Sequence, residues 1–375
     1  MQSIQMVDLR SQYERIKGEV DSAIQEVLNT TAFINGPQVK KFAEKLANYT
    51  GAKHVIPCAN GTDALQIAMM ALDFKPGDEV IVPAFTYVAT VEVIALLGLK
   101  PVFIDVLPDT YELDYHQLES KLSPKTVGIV PVHLYGQCSN MEYILDFARN
   151  LNLKVIEDTA QAIGAVYTFS DGRVAQAGTL GDIGTTSFFP SKNLGCYGDG
   201  GAIFTNNSSL AEKLQMIANH GQKKKYFHDS IGVNSRLDTM QAAILSVKLD
   251  HLNEYSSSRN RVADRYDAAF KNVKGIIIPA RAKNSTHVFH QYTLQIEGGK
   301  RDELKFFLQE KEIPSMIYYP VPLHLQKAYL EFGGKEGDFP ISEELCKKVL
   351  SLPIHTEMKT DEQDYIIEMV SSFFN

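Results

Sequence analysis

The sequence predicts an α/β fold with a large sheet, followed by a smaller C-terminal α+β part. From about residue 35 to residue 210, helical patterns alternate with short apolar runs, an order typical of α/β proteins. These apolar runs do not alternate with polar residues, so we expect a sheet that is covered on both faces. The chain of 375 residues is long enough for a sizeable core in two closely associated parts.

Strands and helices follow one another regularly in the first part. Each predicted strand is a short apolar run, and each predicted helix has apolar residues at a spacing of three and four. The predicted strands are 79–83, 101–105, 127–132 and 154–158, and the predicted helices are 63–72, 88–97 and 141–150.

A helical pattern over 238–270 separates the two parts of the chain. We place the domain boundary inside it, which predicts a large domain of residues 1–255 with an N-terminal helix and a small domain of residues 256–375. The predicted elements of the small domain are a strand over 291–296, a helix over 301–311, a strand over 315–319 and a terminal helix over 361–373.

The composition excludes several classes of function. Apolar residues make up 44% of the chain and charged residues 22%, as in soluble globular proteins. The net charge of −8 gives nucleic-acid binding no electrostatic support. The basic run 223–225 is expected to be a solvated loop, with contact to an anionic substrate as the alternative.

Cysteine usage and hydropathy predict a cytoplasmic location. The four cysteines show neither metal-ligand spacing nor a disulfide framework, which is typical of a reducing compartment. The first residues do not begin a signal peptide, and charged residues interrupt the apolar run 91–106, which therefore cannot span a membrane as a helix. We therefore predict a cytoplasmic protein that binds no metal, no nucleic acid and no membrane.

Lys192 is the most informative residue for function. Aromatic residues, small residues and several glycines surround it within 186–201, a setting unlike that of a surface charge. Glycines allow the backbone to approach a ligand closely, and buried lysines serve as Schiff-base nucleophiles. The order of these glycines matches neither the P-loop nor the dinucleotide-binding pattern, so we reject both. Lys192 is therefore the candidate that binds an aldehyde.

Three further motifs supply what an aldehyde cofactor with a phosphate and a pyridine ring needs. Segment 60–65 opens a helix after an apolar run, so its free amides predict an anion seat; an ordinary capped helix is the alternative. Tyr87 or Phe85, just past a strand, is a candidate to lie against an aromatic ring, with a core position as the alternative. Asp158 ends a buried strand and can keep a pyridine nitrogen protonated; the alternatives are a helix cap or an internal ion pair.

Taken together, these motifs resemble those of the pyridoxal-phosphate sugar aminotransferases of the DegT/StrS type. The resemblance covers nearly the whole chain and implies the fold of aspartate aminotransferase, PLP-dependent fold type I, with a mixed sheet in the large domain. A closer resemblance is to bacterial UDP-2-acetamido-3-oxo-glucuronate 3-aminotransferases, carried by 135–138 and 188–201. The motifs of the family resemblance are 60–65, 83–90, 157–161, 187–201 and 232–238.

The resemblance implies a role for each site residue. Lys192 binds pyridoxal phosphate and acts with Asp158 as a catalytic residue. Asn234 reaches the phosphate in a neighbouring subunit, so the resemblance implies a homodimer with shared active sites, and Arg236 meets an anionic group of the substrate. The implied cofactor contacts are Gly61, Thr62 and Ser187 at the phosphate, Tyr87 on the ring, Asp158 at the ring nitrogen, Gln161 near the phenolic oxygen, and Asp63 as a further cofactor-binding residue.

One segment departs from the family pattern. Many relatives have His-Tyr-Pro where this chain has Tyr318, Tyr319 and Pro320, with His324 shortly after. A phenol is larger than an imidazole and is uncharged at neutral pH. We therefore expect Tyr318, Tyr319 and His324 to contact the sugar, with Tyr318 in a place where many relatives have histidine.

The resemblance implies a ping-pong aminotransferase that uses L-glutamate as the amino donor and a 3-keto nucleotide sugar as the acceptor. The expected product is a precursor of a bacterial surface polysaccharide such as the lipopolysaccharide O-antigen. Amination at C4, or of a dTDP-linked 3-keto-6-deoxyhexose, uses the same residues and stays open. A related sugar dehydratase would lack the Schiff-base lysine, and a PLP-binding regulator would need a DNA-binding segment, which the sequence does not reveal.

Overall fold

The computed structural model describes residues 4–374 of the chain. Helices and strands alternate through its first half, as predicted. The helices are α1 (Leu9–Thr30), α2 (Pro37–Thr50), α3 (Gly61–Ala71), α4 (Ala89–Leu96), α5 (Met141–Leu151), α6 (Ser208–Ala218), α7 (Thr239–Asp250), α8 (Leu252–Phe270), α9 (Arg301–Glu310), α10 (Pro340–Lys348) and α11 (Thr360–Phe374).

The strands form one large sheet and three small ones. The large sheet has seven strands in the order β1-β9-β8-β5-β4-β2-β3, and β12, β13 and β14 form a separate three-stranded sheet. The strands are β1 (His54–Cys58), β2 (Glu79–Pro83), β3 (Lys100–Ile104), β4 (Thr126–Ile129), β5 (Lys154–Asp158), β6 (Val166–Thr168), β7 (Val174–Gln176), β8 (Ile183–Ser187), β9 (Gly201–Thr205), β10 (Gln222–Lys224), β11 (Phe227–His228), β12 (Ile276–Ile277), β13 (Tyr292–Ile296) and β14 (Val349–Leu352).

The direction of the strands in the large sheet brings the motifs together. Strand β9 is antiparallel to both of its neighbours, and the other six strands run in one direction. The carboxyl ends of parallel strands meet at one edge of a sheet, which is where ligands of open α/β sheets bind. The segments that follow β1, β2, β5 and β8 contain the four predicted motifs, and all four therefore start at the same edge.

Burial explains why the strands of the large sheet are apolar without alternation. Every residue of β2 and of β9 is buried, so both faces of these strands are covered. Helices α3, α4 and α6 contribute to the same hydrophobic core as β2 and β9. Parallel sheets that are covered on both faces need such continuous apolar strands.

A second hydrophobic core lies in the C-terminal part of the chain. It is built from α8, β13, α9, β14 and α11, and includes Tyr266, Leu294, Leu304 and Ile366. The antiparallel pairing of β12, β13 and β14 contrasts with the large sheet. The residue at the predicted domain boundary, Tyr255, lies within α8 and is fully buried.

Two predictions of secondary structure were wrong. The predicted helix over 238–270 is two helices, because α7 ends at Asp250 and α8 begins at Leu252. The predicted strand over 315–319 is a single bridge between Met316 and Ser351; β14, which was not predicted, takes the place beside β13. Within residues 4–374, no helix is both long and apolar enough to cross a membrane.

Candidate active site

Lys192 lies in the loop that joins β8 to β9, and this loop is closed tightly on itself. The amide of Phe188 donates to the carbonyl of Gly200 at 2.7 Å, and the amide of Lys192 donates to the carbonyl of Phe189 at 2.8 Å. A Cβ atom at Gly195 would lie 2.3 Å from the carbonyl oxygen of Pro190, so only glycine fits there. The loop therefore holds Lys192 at a fixed place at the edge of the sheet.

The amine of Lys192 is half-buried and unpaired. Within residues 4–374, its Nζ atom makes no hydrogen bond and no ion pair. Burial lowers the pKa of Lys192 to about 8, while the charge of Asp158 acts in the opposite direction. A substantial fraction of the amine is thus neutral near pH 8, which is the form that attacks a carbonyl group.

Asp158 ends β5 and is only 6% exposed. Its Oδ2 accepts a hydrogen bond from the hydroxyl of Thr90 at 2.8 Å, and its Oδ1 accepts one from the amide of Ala160 at 3.1 Å. No Lys, Arg or His of the described chain forms an ion pair with this carboxylate. A buried carboxylate without a cationic partner is costly, so its position suits a ligand with a positively charged nitrogen.

The neighbouring Glu157 points to the other side of β5, as the alternation of a strand requires. Its carboxylate accepts hydrogen bonds from the amides of Gly178 (2.9 Å), Leu180 (2.7 Å) and Gly181 (2.7 Å). The ring Nε2 of His133 lies 3.0 Å from it. Glu157 is therefore saturated by internal donors and fixes the loop before β8.

The start of α3 forms a cradle against the end of β8. A Cβ atom at Gly61 would lie 2.7 Å from Cβ of Ser187, so the two segments are in direct contact. The side chain of Asn60 caps the helix by accepting from the amide of Asp63 at 2.8 Å. The amides of Gly61 and Thr62 have no intrahelical acceptor, because they lie in the first turn. Those two amides and the hydroxyl of Ser187 can meet an anion there.

The alternative between Tyr87 and Phe85 is decided by exposure. Tyr87 is 56% exposed on the segment between β2 and α4, whereas Phe85 is buried. The Tyr87 ring lies 6.1 Å from the ring of Tyr319, measured between centroids. Of the two candidates, Tyr87 is therefore the one available to a ring-shaped ligand.

Gln161 connects the strand β5 region to Tyr319. Its Oε1 accepts from the amide of Tyr135 at 2.8 Å, and its Nε2 donates to the hydroxyl of Tyr319 at 3.1 Å. The hydroxyl of Tyr135 donates to the backbone carbonyl of Tyr318. Burial raises the pKa of Tyr318, so its phenol stays neutral at physiological pH. The structure thus brings Tyr318 and Tyr319 into one network with Gln161.

Arg236 and Asn234 lie on a segment that contacts the connection between β1 and α3. The hydroxyl of Ser235, between them, accepts from the amide of Ala59 at 3.0 Å. The side chain of Asn234 is exposed, and Arg236 is half-buried. The guanidinium of Arg236 has no ion pair or hydrogen bond to any residue in the described range, so it is free to bind an anion.

The side chain of His324 is already engaged inside the protein, although the neighbouring amide of Leu323 donates to the carbonyl of Ala84. His324 is fully buried, and its Nε2 lies 3.1 Å from Oε1 of Glu343. Its ring packs against Phe103 and Phe339. This environment favours a structural role over the contact with the sugar that the sequence suggested.

Thr90 is the site residue to which the sequence analysis assigned no role. It was inside the quoted motif 83–90, but its partner Asp158 is 68 residues away in the sequence. Tyr87 precedes α4 and Thr90 lies in its first turn, so the spacing of the two residues gave no signal of their common site.

Comparisons with known proteins agree with this geometry. Residues 14–371 match the model of the DegT/DnrJ/EryC1/StrS aminotransferase family. A curated relative, the UDP-2-acetamido-2-deoxy-3-oxo-D-glucuronate aminotransferase of Pseudomonas aeruginosa, is 46% identical over 95% of this chain and 96% of its own. A protein of Geobacillus stearothermophilus named "Pleiotropic regulatory protein" is 47% identical over 99% of both chains. The dTDP-3-amino-3,6-dideoxy-alpha-D-galactopyranose transaminase of Aneurinibacillus thermoaerophilus is 42% identical over 99% of both.

Solved structures give the same result for the fold. An aminotransferase of Brucella abortus superimposes with a TM-score of 0.94 at 41% identity and covers 99% of this chain and 100% of its own. NtdA of Bacillus subtilis, solved with bound cofactor PMP, has a TM-score of 0.87 at 31% identity over 97% of this chain and 82% of its own. The mixed sheet with its helices is that of these aminotransferases.

Proposed function

Because the chain belongs to the DegT/DnrJ/EryC1/StrS aminotransferase family, we propose that it moves the amino group of L-glutamate to the keto group of a nucleotide sugar with the help of pyridoxal phosphate. The observation that carries this proposal is the pair formed by Lys192 and Asp158. One is an amine without a hydrogen-bond partner, with a pKa lowered to about 8, and the other is a buried carboxylate that forms no ion pair within the described residues.

The residues of the site fit pyridoxal phosphate. The amides of Gly61 and Thr62 and the hydroxyl of Ser187 would hold the phosphate beside the contact between the start of α3 and the end of β8. Asp158 would pair with the ring nitrogen, and the exposed ring of Tyr87 would lie on the pyridine face. When bound, the cofactor supplies an electron sink for the carbon that carries the amino group.

Two of the predicted cofactor-binding residues, Asp63 and Gln161, already use hydrogen-bonding groups inside the protein. The amide of Asp63 is already used by the Asn60 cap, so Asp63 would take part only through its place in the first turn of α3. Gln161 already uses its carbonyl and one amide hydrogen, which leaves the second hydrogen of Nε2 for the phenolic oxygen.

Lys192 has two tasks in this proposal. Its Nζ would hold the cofactor at the carbonyl carbon between turnovers, and when free it would take a proton from the donor carbon and return it as an acid. A group that both takes and gives a proton works best when its pKa is near the working pH. The lowered pKa of Lys192 meets that requirement. Glutamate leaves as 2-oxoglutarate, and the sugar gains the amino group in place of its keto oxygen.

For the acceptor we propose UDP-2-acetamido-3-oxo-glucuronate. Its support is the name of the P. aeruginosa relative and the unpaired guanidinium of Arg236, because arginine binds a carboxylate with two parallel hydrogen bonds. Tyr318 and Tyr319 would lie along the sugar, and the product would serve surface-polysaccharide synthesis in the cytoplasm. The A. thermoaerophilus relative supports a second candidate, a dTDP-linked 3-keto-6-deoxyhexose.

We also propose that two copies of the chain share their active sites. The exposed side chain of Asn234 would reach the phosphate held by the partner. Each copy would consist of a large domain of residues 1–255 and a small domain of residues 256–375.

The test is a panel of keto nucleotide sugars, each incubated with L-glutamate and the protein loaded with pyridoxal phosphate. Mass spectrometry should find the aminated sugar and 2-oxoglutarate in equal amounts, with the 3-oxo-glucuronate substrate fastest. Preference for a dTDP-linked sugar would replace the first candidate by the second. No amination of any sugar would favour the regulatory role in the name of the G. stearothermophilus relative.

The variant Lys192→Ala is the control for this panel. It should turn over no substrate and should lack the visible absorption band of the loaded protein. A band that persists in this variant would refute the role of Lys192.

A further inference from the structure

We propose that Thr90 is a positioning residue that holds the Asp158 carboxylate in its orientation toward the ring nitrogen of the cofactor. The inference rests on the proposed function, because it assigns a partner to the residue that would pair with pyridoxal phosphate. Thr90 itself would touch neither cofactor nor substrate.

The geometry at Asp158 supports this role directly. Thr90 is fully buried, and its hydroxyl donates to Oδ2 of Asp158 at 2.8 Å. The other oxygen, Oδ1, accepts from the amide of Ala160 at 3.1 Å. Within residues 4–374, no side chain other than that of Thr90 donates a hydrogen bond to this carboxylate.

A carboxylate that accepts a hydrogen bond on each oxygen is held in one orientation. Hydrogen bonds to an ionised group are also stronger than those between neutral groups. An ionised carboxylate has about four lone pairs, so the bonds from Thr90 and Ala160 leave one lone pair on each oxygen. Asp158 can therefore keep both internal bonds and still accept the N–H of a pyridinium ring.

The location of Thr90 in the fold also determines how the Asp158 carboxylate is oriented. Thr90 lies in the first turn of α4, three residues after Tyr87, so one short segment carries both the proposed ring-stacking residue and the donor to Asp158. The hydroxyl reaches from α4 to the end of β5, two segments that are far apart in the chain. The bond thus fixes the position of the Asp158 carboxylate relative to the segment whose Tyr87 would stack on the cofactor ring.

The experiment compares Thr90→Val, which keeps the β-branched shape without the hydroxyl, with Thr90→Ser, which keeps the hydroxyl. Thr50→Val is the matched control: Thr50 is 5% exposed and its hydroxyl donates to the carbonyl of Leu46 at 2.8 Å, at the end of α2. Three quantities are measured: the dissociation constant of pyridoxal phosphate, the pH dependence of the visible band of the loaded protein, and the thermal unfolding of the protein without cofactor.

Loss of a hydrogen bond to a charged group should weaken binding of pyridoxal phosphate in Thr90→Val by about tenfold or more. The pH range over which the visible band of Thr90→Val persists should narrow, because the ring nitrogen of the cofactor then faces a carboxylate that is held less firmly. Thr90→Ser should stay within about threefold of wild type in affinity, since it keeps the donor. Thr50→Val should change unfolding alone.

Two results would overturn this inference and leave the proposed function intact. One is a Thr90→Val protein that binds and titrates like wild type, and the other is a Thr90→Ser protein as impaired as Thr90→Val, because shape and not the hydroxyl would then matter. If the wild-type protein failed to bind pyridoxal phosphate, the proposed function would fall and this inference with it.

Discussion

At the scale of single residues, burial alone does not distinguish Lys192. Lys248 is 1% exposed, and burial lowers its pKa to about 8 as well. Its ammonium lies over the ring of Tyr197 at 5.2 Å from the centroid. Lys192, in contrast, is accessible at the sheet edge and interacts with the charge of Asp158. Accessibility beside a carboxylate, rather than the lowered pKa, makes Lys192 the candidate nucleophile.

This contrast predicts how the lysines react with an amine reagent. In the protein without cofactor, reductive methylation of Lys192 should reach half of its maximum near pH 8, because the neutral amine reacts and burial disfavours the ammonium. Ordinary exposed lysines should follow at about pH 10.4, and the inaccessible Lys248 should stay unmodified. Peptide mass spectrometry over a pH series measures each site.

The variant Asp158→Asn tests the electrostatic part of that prediction. The charge of Asp158 favours the ammonium form of Lys192, so its removal should move the midpoint below that of the wild type. A Lys192 midpoint that coincides with those of the exposed lysines would contradict the assignment, as would equal labelling of Lys248.

Local motifs allowed most of the candidate site to be predicted, and long-range contacts limited the rest. Lys192, Asp158 and Gly61 each sit where a strand ends, a place that hydrophobic runs reveal. The bond between Thr90 and Asp158 joins two segments far apart in the chain and has no local signal. His324 was misjudged for the same reason, since its partner Glu343 and the packing of Phe103 appear only after folding.

At the scale of elements, the buried strands were the easiest to predict. Strand β2 was predicted at its observed bounds because all of its residues are apolar or buried and Pro83 ends it. The C-terminal part was harder. The run 315–319 has the residues of a strand, but it meets the sheet at one bridge only, between Met316 and Ser351 of β14. How many residues of a segment pair with its neighbour depends on contacts with a distant part of the chain, which the segment alone does not reveal.

The close contact between α3 and β8 at Gly61 predicts that adding one methyl group there weakens cofactor binding. In Gly61→Ala, the new Cβ atom would lie 2.7 Å from Cβ of Ser187, closer than such atoms approach, so the cradle must open or Ser187 must move. We expect pyridoxal phosphate to bind at least about tenfold more weakly, because a displaced amide or hydroxyl loses its bond to a charged group. Fluorescence titration of the protein without cofactor measures this.

The matched control is Gly18→Ala in the interior of α1. A Cβ atom there has no neighbour within 4 Å, so the substitution should stabilise the protein by roughly 0.5–1 kcal/mol and leave cofactor binding unchanged. Unchanged affinity in Gly61→Ala would show that the start of α3 does not hold the phosphate.

At the scale of the whole molecule, Asp105 joins the large sheet to α10 in the C-terminal part of the chain. It follows β3 of the large sheet, and its carboxylate accepts from the amides of Ile341 at 3.0 Å and Ser342 at 2.8 Å in the first turn of α10. The hydroxyl of Ser342 adds a third bond at 2.6 Å. A buried carboxylate at a helix start complements the helix dipole as well. The C-terminal part is thus fastened to the sheet beside the proposed sugar site.

The proposed sharing of sites between two copies leads to a complementation test. If Lys192 of one copy acts with Asn234 of the other, Lys192→Ala and Asn234→Asp should each inactivate a homodimer, the second by placing a negative charge beside the phosphate. A hybrid dimer then has one site with both changes and one site with neither. Co-expression with two different affinity tags, followed by purification through both, isolates this hybrid.

The hybrid should recover about half of the activity of a wild-type dimer, and an unsorted statistical mixture about a quarter, because half of its dimers are hybrids with one intact site each. If each site were built from one chain, every site in the hybrid would carry one of the two substitutions and no activity would return. A hybrid of Lys192→Ala with the doubly substituted chain, which has no intact site under either arrangement, sets the background. Because both arrangements contain the same residues, only the recovery of activity distinguishes them, and it does so without depending on which sugar is the substrate.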